Sequence, residues 1–350
     1  VLRGIAASVV VFHHFALAVR DYSPRDSWIN DSGLGGLGAC GVDIFFVISG
    51  FIMVYTTTRK EGARDALSFL KKRALRIYPL YWFWTTVLFL LWAVGFALKS
   101  HHYPASYLVN SYLLIPSAGA HNYEPLLAQG WTLSFEMFFY LVFSFAILFK
   151  LKRAKLVLLA ATFGALSIAS KLLPAANGIR PFLEDPIIIE FLFGVLAAQI
   201  LLLLPAAQGM ARKRAVAITL IAIGAVALLC TVRLGFPGPM RFAFWGIPGL
   251  FLVFGAALLG SMPCPRWLVY LGDASYSIYL THGFCSLAYS MAIKHFPGLG
   301  RVLPDAAILL AGIATIVLCS FTYPLVERRL SVGSRKKTLA SRPKSEVPVS

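Results

Sequence analysis

Ten stretches of the chain are dominated by apolar residues, near 4–20, 37–57, 77–98, 131–149, 155–173, 185–204, 214–232, 241–260, 275–293 and 304–326. Each is close to the twenty or so residues that an α-helix needs to cross a hydrocarbon core roughly 30 Å thick. Polar and charged residues gather between them. Only helices satisfy their own backbone groups one segment at a time in lipid, so the pattern predicts an all-α fold. It is a polytopic membrane helix bundle of about ten transmembrane helices. The longest connection, about 99–130, is too short for a separate soluble domain. The last segment breaks the pattern. Residues 331–350 are polar and basic with two prolines, and read as a disordered basic cytoplasmic tail, solubilising or lying on anionic lipid. The chain thus divides into a membrane domain, 1–330, and a tail, 331–350.

The chain opens on Val1 rather than Met, so a few residues are expected to precede it. The first apolar run carries Arg3 and two histidines and lacks a small-residue cleavage pattern, so it is not read as a cleavable signal peptide. No internal repeat is strong enough to suggest an inverted-repeat transporter.

Composition sharpens this. Of the 350 residues, 58% are apolar or aromatic and 13% are charged, where a soluble domain carries about a quarter. A disordered chain, a disulfide scaffold and an ordinary soluble enzyme are excluded. The charge is lopsided, with 32 Lys and Arg against 15 Asp and Glu. Its arrangement matters more than its size. Alternate connections divide the basic residues into 22 on one side and 9 on the other, with Arg3 left over. The rich side includes Arg59 to Arg76, Lys150 to Lys155, Arg212 to Arg214 and everything from Arg328 onward. Cytoplasmic loops collect Lys and Arg, so both termini are expected in the cytoplasm. The surplus records topology, and no nucleic-acid partner is expected. The five cysteines are scattered with no CxxC spacing, and neither a metal site nor a disulfide framework is expected.

Scarce charge makes each ionisable residue within a span a functional candidate. In the first span, Arg3 and His14 are eleven residues apart. That is just over three turns, so they share a face, with His14 about 16 Å above Arg3. Arg3 is expected at the cytoplasmic surface and His14 near the midplane. His13 points about 100° away. Asp43 in GVDIFFVISGF is expected roughly 10 Å below the outer face, near the height of His14. A buried carboxylate there can orient an imidazole and stabilise its protonated form, or serve as a cap or packing residue. Arg73 and Arg76 in FLKKRALRIYPLYW lie on one helix face at the cytoplasmic surface. Their forks suit phosphate, although positive charge there also sets topology. Glu136 in WTLSFEMFFY is expected roughly 7 Å below the outer face. It would meet a hydroxyl substrate or a basic residue. Arg241 is a candidate partner for Glu136 or Glu190. Tyr276, Tyr279 and His282 recur every three residues, as a cavity lining or a packing ladder. Glu327, beside Arg328 and Arg329, reads as an interface anchor.

Five strings together, LRGIAASVVVFHH, GVDIFFVISGF, FLKKRALRIYPLYW, WTLSFEMFFY and LGDASYSIYLTH, resemble the acyltransferase 3 family of integral membrane acyltransferases. They occur in the family's order, from Val1 to about Arg329. Arg3 and His14 match its Arg-x10-His pattern, and Arg73 and Arg76 its Arg-x-x-Arg pattern. Thr132 and Ser134 stand in a variant of its fourth string. The resemblance is to stand-alone members that act on exopolysaccharides. It implies transfer of an acyl group, usually acetyl, from cytoplasmic acyl-CoA to a hydroxyl of a carbohydrate or lipid-linked sugar. A bacterial inner membrane location follows, and a homo-oligomer is left open. On this reading Arg3, Arg73 and Arg76 hold the CoA phosphates. His14 acts as general base or takes the acyl group itself, Asp43 orients His14, and Glu136 engages the acceptor from the outer mouth. A transporter or flippase of lipid-linked sugars accounts for the spans and buried charges too. A membrane scaffold subunit is the third reading. Neither alternative needs the cytoplasmic arginine pair aligned with Arg3 and His14.

Overall fold

All ten apolar runs fold as helix in the computed structural model. It describes residues 1–330 except 24, 99–101, 118–123, 152–153, 175–177, 205–209, 235–237, 261 and 297–302. The expected tail, 331–350, lies outside the described residues. In chain order the helices are α1 (Leu2–Tyr22), two short helices α2 (Trp28–Asp31) and α3 (Leu34–Leu37), α4 (Cys40–Thr56), α5 (Ala63–Ala93), α6 (Ala105–Leu113) and α7 (Trp131–Leu148). They continue as α8 (Lys155–Ser170), a short α9 (Ile179–Glu184), α10 (Ile188–Leu203), α11 (Met210–Cys230), α12 (Ile247–Leu259), α13 (Arg266–His295) and α14 (Pro304–Thr322). No strand occurs among the described residues.

Eight of these segments are long and apolar enough to cross a membrane. Two expected spans are not among the eight, for opposite reasons. The helix α8 is apolar but has 16 residues. The helix α13 has 30 residues, but its buried face carries Ser275, Tyr276, Ser277, Tyr279, Thr281 and His282. Its polar groups point into the bundle, where polar residues in membrane helices belong. Hydropathy alone undervalues such a span.

Lipid tails are as apolar as leucine, so helices associate here through close packing. Small residues set the closest approaches. In α4 and α10, a Cβ on Gly50 would run into the Phe191 carbonyl, and one on Gly194 into the Val47 carbonyl. The helix α1 packs against α4, α13 and α14, and α5 against α7. A nearly continuous aromatic core (Phe46, Phe135, Phe139, Phe143 and Phe191) fills the space between α4, α7 and α10. Two π-helical turns interrupt the regular helices, at Phe242–Gly246 before α12 and Tyr323–Glu327 after α14. Such turns are frequent at functional sites. The first follows Arg241, and the second carries Glu327. Cys285 and Cys319, far apart in sequence, bring their sulfurs to 3.9 Å between α13 and α14.

Candidate active site

A polar cavity opens where α1, α4, α5, α7 and α13 meet. Arg3, Ser49, Arg73, Arg76, Glu136, Tyr140 and Tyr276 line it, and its volume is about 40 Å³. All three arginines proposed from sequence therefore share one cavity. Arg73 is held in place. Its guanidinium stacks over Phe69 and Tyr140, 5.3 and 5.2 Å from the ring centres, and it reaches Thr56 Oγ1 at 3.4 Å. Cation–π contact fixes the fork without consuming its hydrogen-bond donors. Arg76 is exposed, and Arg3 is half-buried. Lys71 and Lys72, on the same helix, are exposed and do not line the cavity. Glu136, Glu327 and Arg76 all act electrostatically on Arg3.

A second compartment of about 50 Å³ shares Arg3, Phe45, Glu136 and Tyr276, and reaches Thr132 and Tyr279. Tyr276 donates to the Ile77 carbonyl at 2.8 Å, pinning α13 to α5. Thr132 and Tyr279 join through their hydroxyls at 3.0 Å. Tyr279 then abuts His282, ring centre to ring centre 5.8 Å. His282 in turn abuts His14 at 4.7 Å. A column of polar side chains thus climbs from the arginines to His14. It is built by α13 running beside α1.

The imidazoles have defined tautomers. His14 Nδ1 lies 2.9 Å from the Val10 carbonyl, His282 Nδ1 2.6 Å from the Tyr279 carbonyl, and His13 Nδ1 2.7 Å from the Gly35 carbonyl. A carbonyl only accepts, so each Nδ1 carries hydrogen and donates it. Each neutral ring then keeps its lone pair on Nε2. His14 is half-buried, and Nε2 is the basic atom its ring can offer a substrate.

Three expected placements are corrected. Asp43 does not orient His14. It is wholly buried, and its carboxylate takes both Nε and Nη2 of Arg241, at 3.0 and 2.8 Å. Arg241 also lies 3.9 Å from Glu190 and stacks over Trp245. The sequence paired Arg241 with Glu136 or Glu190; it does reach Glu190, but its closest carboxylate is Asp43. Asp43 faces α10 and the turn before α12, away from the His14 face of α1. It locks helices together. Removing one partner of a buried ion pair typically costs about 3–5 kcal/mol, because the other charge is stranded. Asp43→Asn is therefore expected to lower the amount of folded protein and total activity in parallel. Activity per folded molecule, measured after detergent extraction and size-exclusion chromatography, should be preserved.

Glu136 does not stand at an outer mouth apart from the arginines, because it lines their cavity. The turn Ala128–Gly130 before α7 buries Gly130 and sets the Gln129 carboxamide against Gly283, the residue next to His282, while Ala128 is exposed. The preceding Leu126 and Leu127 are buried, and Leu126 N–H donates to Ser111 Oγ at 2.9 Å. The helix α7 thereby presents Glu136 to the cavity that Arg3 lines. Glu327 is no simple interface anchor either. It accepts from Ser277 Oγ at 2.6 Å and acts electrostatically on Arg76 and Arg3. Among the described residues no cluster of three or more His, Cys, Asp or Glu side chains could hold a metal ion.

The acyltransferase-domain model of the acyltransferase 3 family matches residues 1–323. The chain belongs to the acyltransferase 3 family. As an acyltransferase 3 protein it is a multi-pass membrane enzyme that transfers acyl groups. One relative is the exopolysaccharide production protein ExoZ of Rhizobium meliloti, 32% identical over 316 residues, covering 87% of this acyltransferase and 93% of ExoZ. Another is protein 2 in the picA locus of Rhizobium radiobacter, 34% identical over 82 residues, which are 23% of this chain and 37% of that protein. No solved structure matches this acyltransferase.

Proposed function

We propose that this acyltransferase moves an acetyl group from cytoplasmic acetyl-CoA to a hydroxyl of an exopolysaccharide or its lipid-linked precursor at the inner membrane. The likeness to ExoZ supports the carbohydrate class. The observation that carries the donor is the gathering of Arg3, Arg73 and Arg76 in one cavity at the foot of the helix that bears His14. CoA carries several phosphate charges at one end and a thioester at the other. Arginine forks bind the phosphates, and the narrow pantetheine arm rises past Tyr276 and Tyr279. The thioester then lies near His14, about three helical turns above Arg3.

His14 Nε2 takes the proton of the acceptor hydroxyl as its oxygen attacks the thioester carbonyl. The C–S bond breaks, an oxygen ester forms, and the proton passes to the leaving CoA thiolate. Glu136 positions Arg3 at the inner compartment. Both termini lie in the cytoplasm, which puts the arginine cavity on the side where CoA is made. About ten spans and a basic tail complete the arrangement.

Two measurements test this reading. Deleting the protein should remove acetyl groups from the cell's surface polysaccharide, read by mass spectrometry or NMR of the polymer. Purified protein in lipid should release free thiol from acetyl-CoA only when the acceptor is present. A flippase of lipid-linked sugars would move acceptor without consuming acetyl-CoA, and that outcome would overturn the proposal.

A further inference from the structure

His282 has a feature that packing does not explain. Its side chain is wholly buried, and its Nε2 has no hydrogen-bond partner. Leaving a buried polar atom unsatisfied costs about 1–3 kcal/mol, and native structures rarely tolerate it without a reason. The ring is not free to turn and find a partner. Its Nδ1–H is committed to the Tyr279 carbonyl at 2.6 Å, which fixes the tautomer and leaves the lone pair on Nε2. The negative end of the imidazole dipole is therefore held at Nε2. The aromatic ring packed closest to the His282 ring is that of His14, with ring centres 4.7 Å apart and planes at 68°.

From this juxtaposition we infer that His282 is the positioning residue of His14, holding a fixed lone pair against the ring that becomes an imidazolium during transfer. This deepens the proposed mechanism and rests on its assignment of His14 as the base. When His14 takes the acceptor proton it gains a full charge in a site of low dielectric. A preorganised dipole there stabilises that charge without reorganising. The proton stays on His14 until the CoA thiolate takes it, and His282 remains neutral throughout. The lone pair has its use only while His14 is charged, which accounts for its lack of a partner in the resting state. It also fills the role that sequence reasoning gave to Asp43. A neutral partner is the cheaper choice here, because burying a carboxylate beside His14 would require a second compensating charge.

The test uses two replacements of similar size in the full-length enzyme in lipid. His282→Leu fills the space without an acceptor, and His282→Gln offers an amide oxygen. In His282→Leu, kcat should fall on the order of 10²-fold, while KM for acetyl-CoA and the elution profile stay as in the wild type. His282→Gln should recover most of kcat. Wild-type kcat in His282→Leu overturns the inference, and so does equal loss in both variants. His14→Ala separates the two levels of the argument. An inactive His14→Ala beside a fully active His282→Leu refutes the role of His282 alone. An active His14→Ala refutes the base assignment on which it stands.

Discussion

His14→Ala is expected to lower acetyl transfer about 10³-fold while leaving protein abundance unchanged. Proton removal by a positioned base contributes about 10²–10⁴-fold, so the expected loss corresponds to about 4 kcal/mol of transition-state stabilisation. Stability should change little, because the ring is half-buried and its one recorded hydrogen bond goes to its own helix, at Val10. What is lost between helices is the ring's packing on His282 of α13, and no hydrogen bond. The measurement is thiol release from acetyl-CoA in proteoliposomes, normalised to folded protein. KM for acetyl-CoA should be nearly unchanged, since the phosphate grip lies about three turns away. His13→Ala is the control. His13 donates to the Gly35 carbonyl at 2.7 Å and ties α1 to α3. Its loss should affect stability more than turnover.

The arginines should give the opposite kinetic signature. A hydrogen bond involving a charged group contributes about 1.5–3 kcal/mol, equivalent to roughly tenfold to hundredfold in affinity. Arg73→Ala should raise KM for acetyl-CoA by that factor, with kcat at saturating donor largely kept. Arg76 is exposed, so screening should hold Arg76→Ala near the lower end of the range. The double variant should lose donor use almost entirely. Lysine at position 73 should restore only part of the effect, because an ammonium lacks the planar fork and the stacking over Phe69 and Tyr140. Added salt should raise KM in the wild type and hardly at all in the double variant. Unchanged KM across these variants would remove both arginines from the donor site.

Much of the fold was legible along the chain because membrane insertion is a local rule. An apolar run of the right length must become a helix wherever it packs. The placement of Arg3 and His14 on one face of α1 followed from helical periodicity. So did the pairing of Arg73 with Arg76. Less legible was α13, whose polar residues lower its hydropathy although they are buried among other helices. The same residues, Tyr276, Tyr279 and His282, could be read from sequence as lining or as packing. Only their neighbours distinguish the two.

The amino-acid sequence by itself determined the class of fold, the family and the rare ionisable residues on which chemistry must rest. Tertiary structure alone decided which of them meet. Asp43 and Arg241 are 198 positions apart, and no periodic pattern relates them. Glu136 shares a cavity with the arginines because α7 packs beside α5 and α4, and depth counted along one helix does not say which cavity a side chain enters. His282 became the neighbour of His14 because α13 lies against α1. Residue spacing fixes direction and rise within one helix. The rotation and register of one helix against the next are set by packing, through contacts such as Gly50 on Phe191 and Gly194 on Val47. Those contacts join segments whose order in the chain says nothing of their meeting.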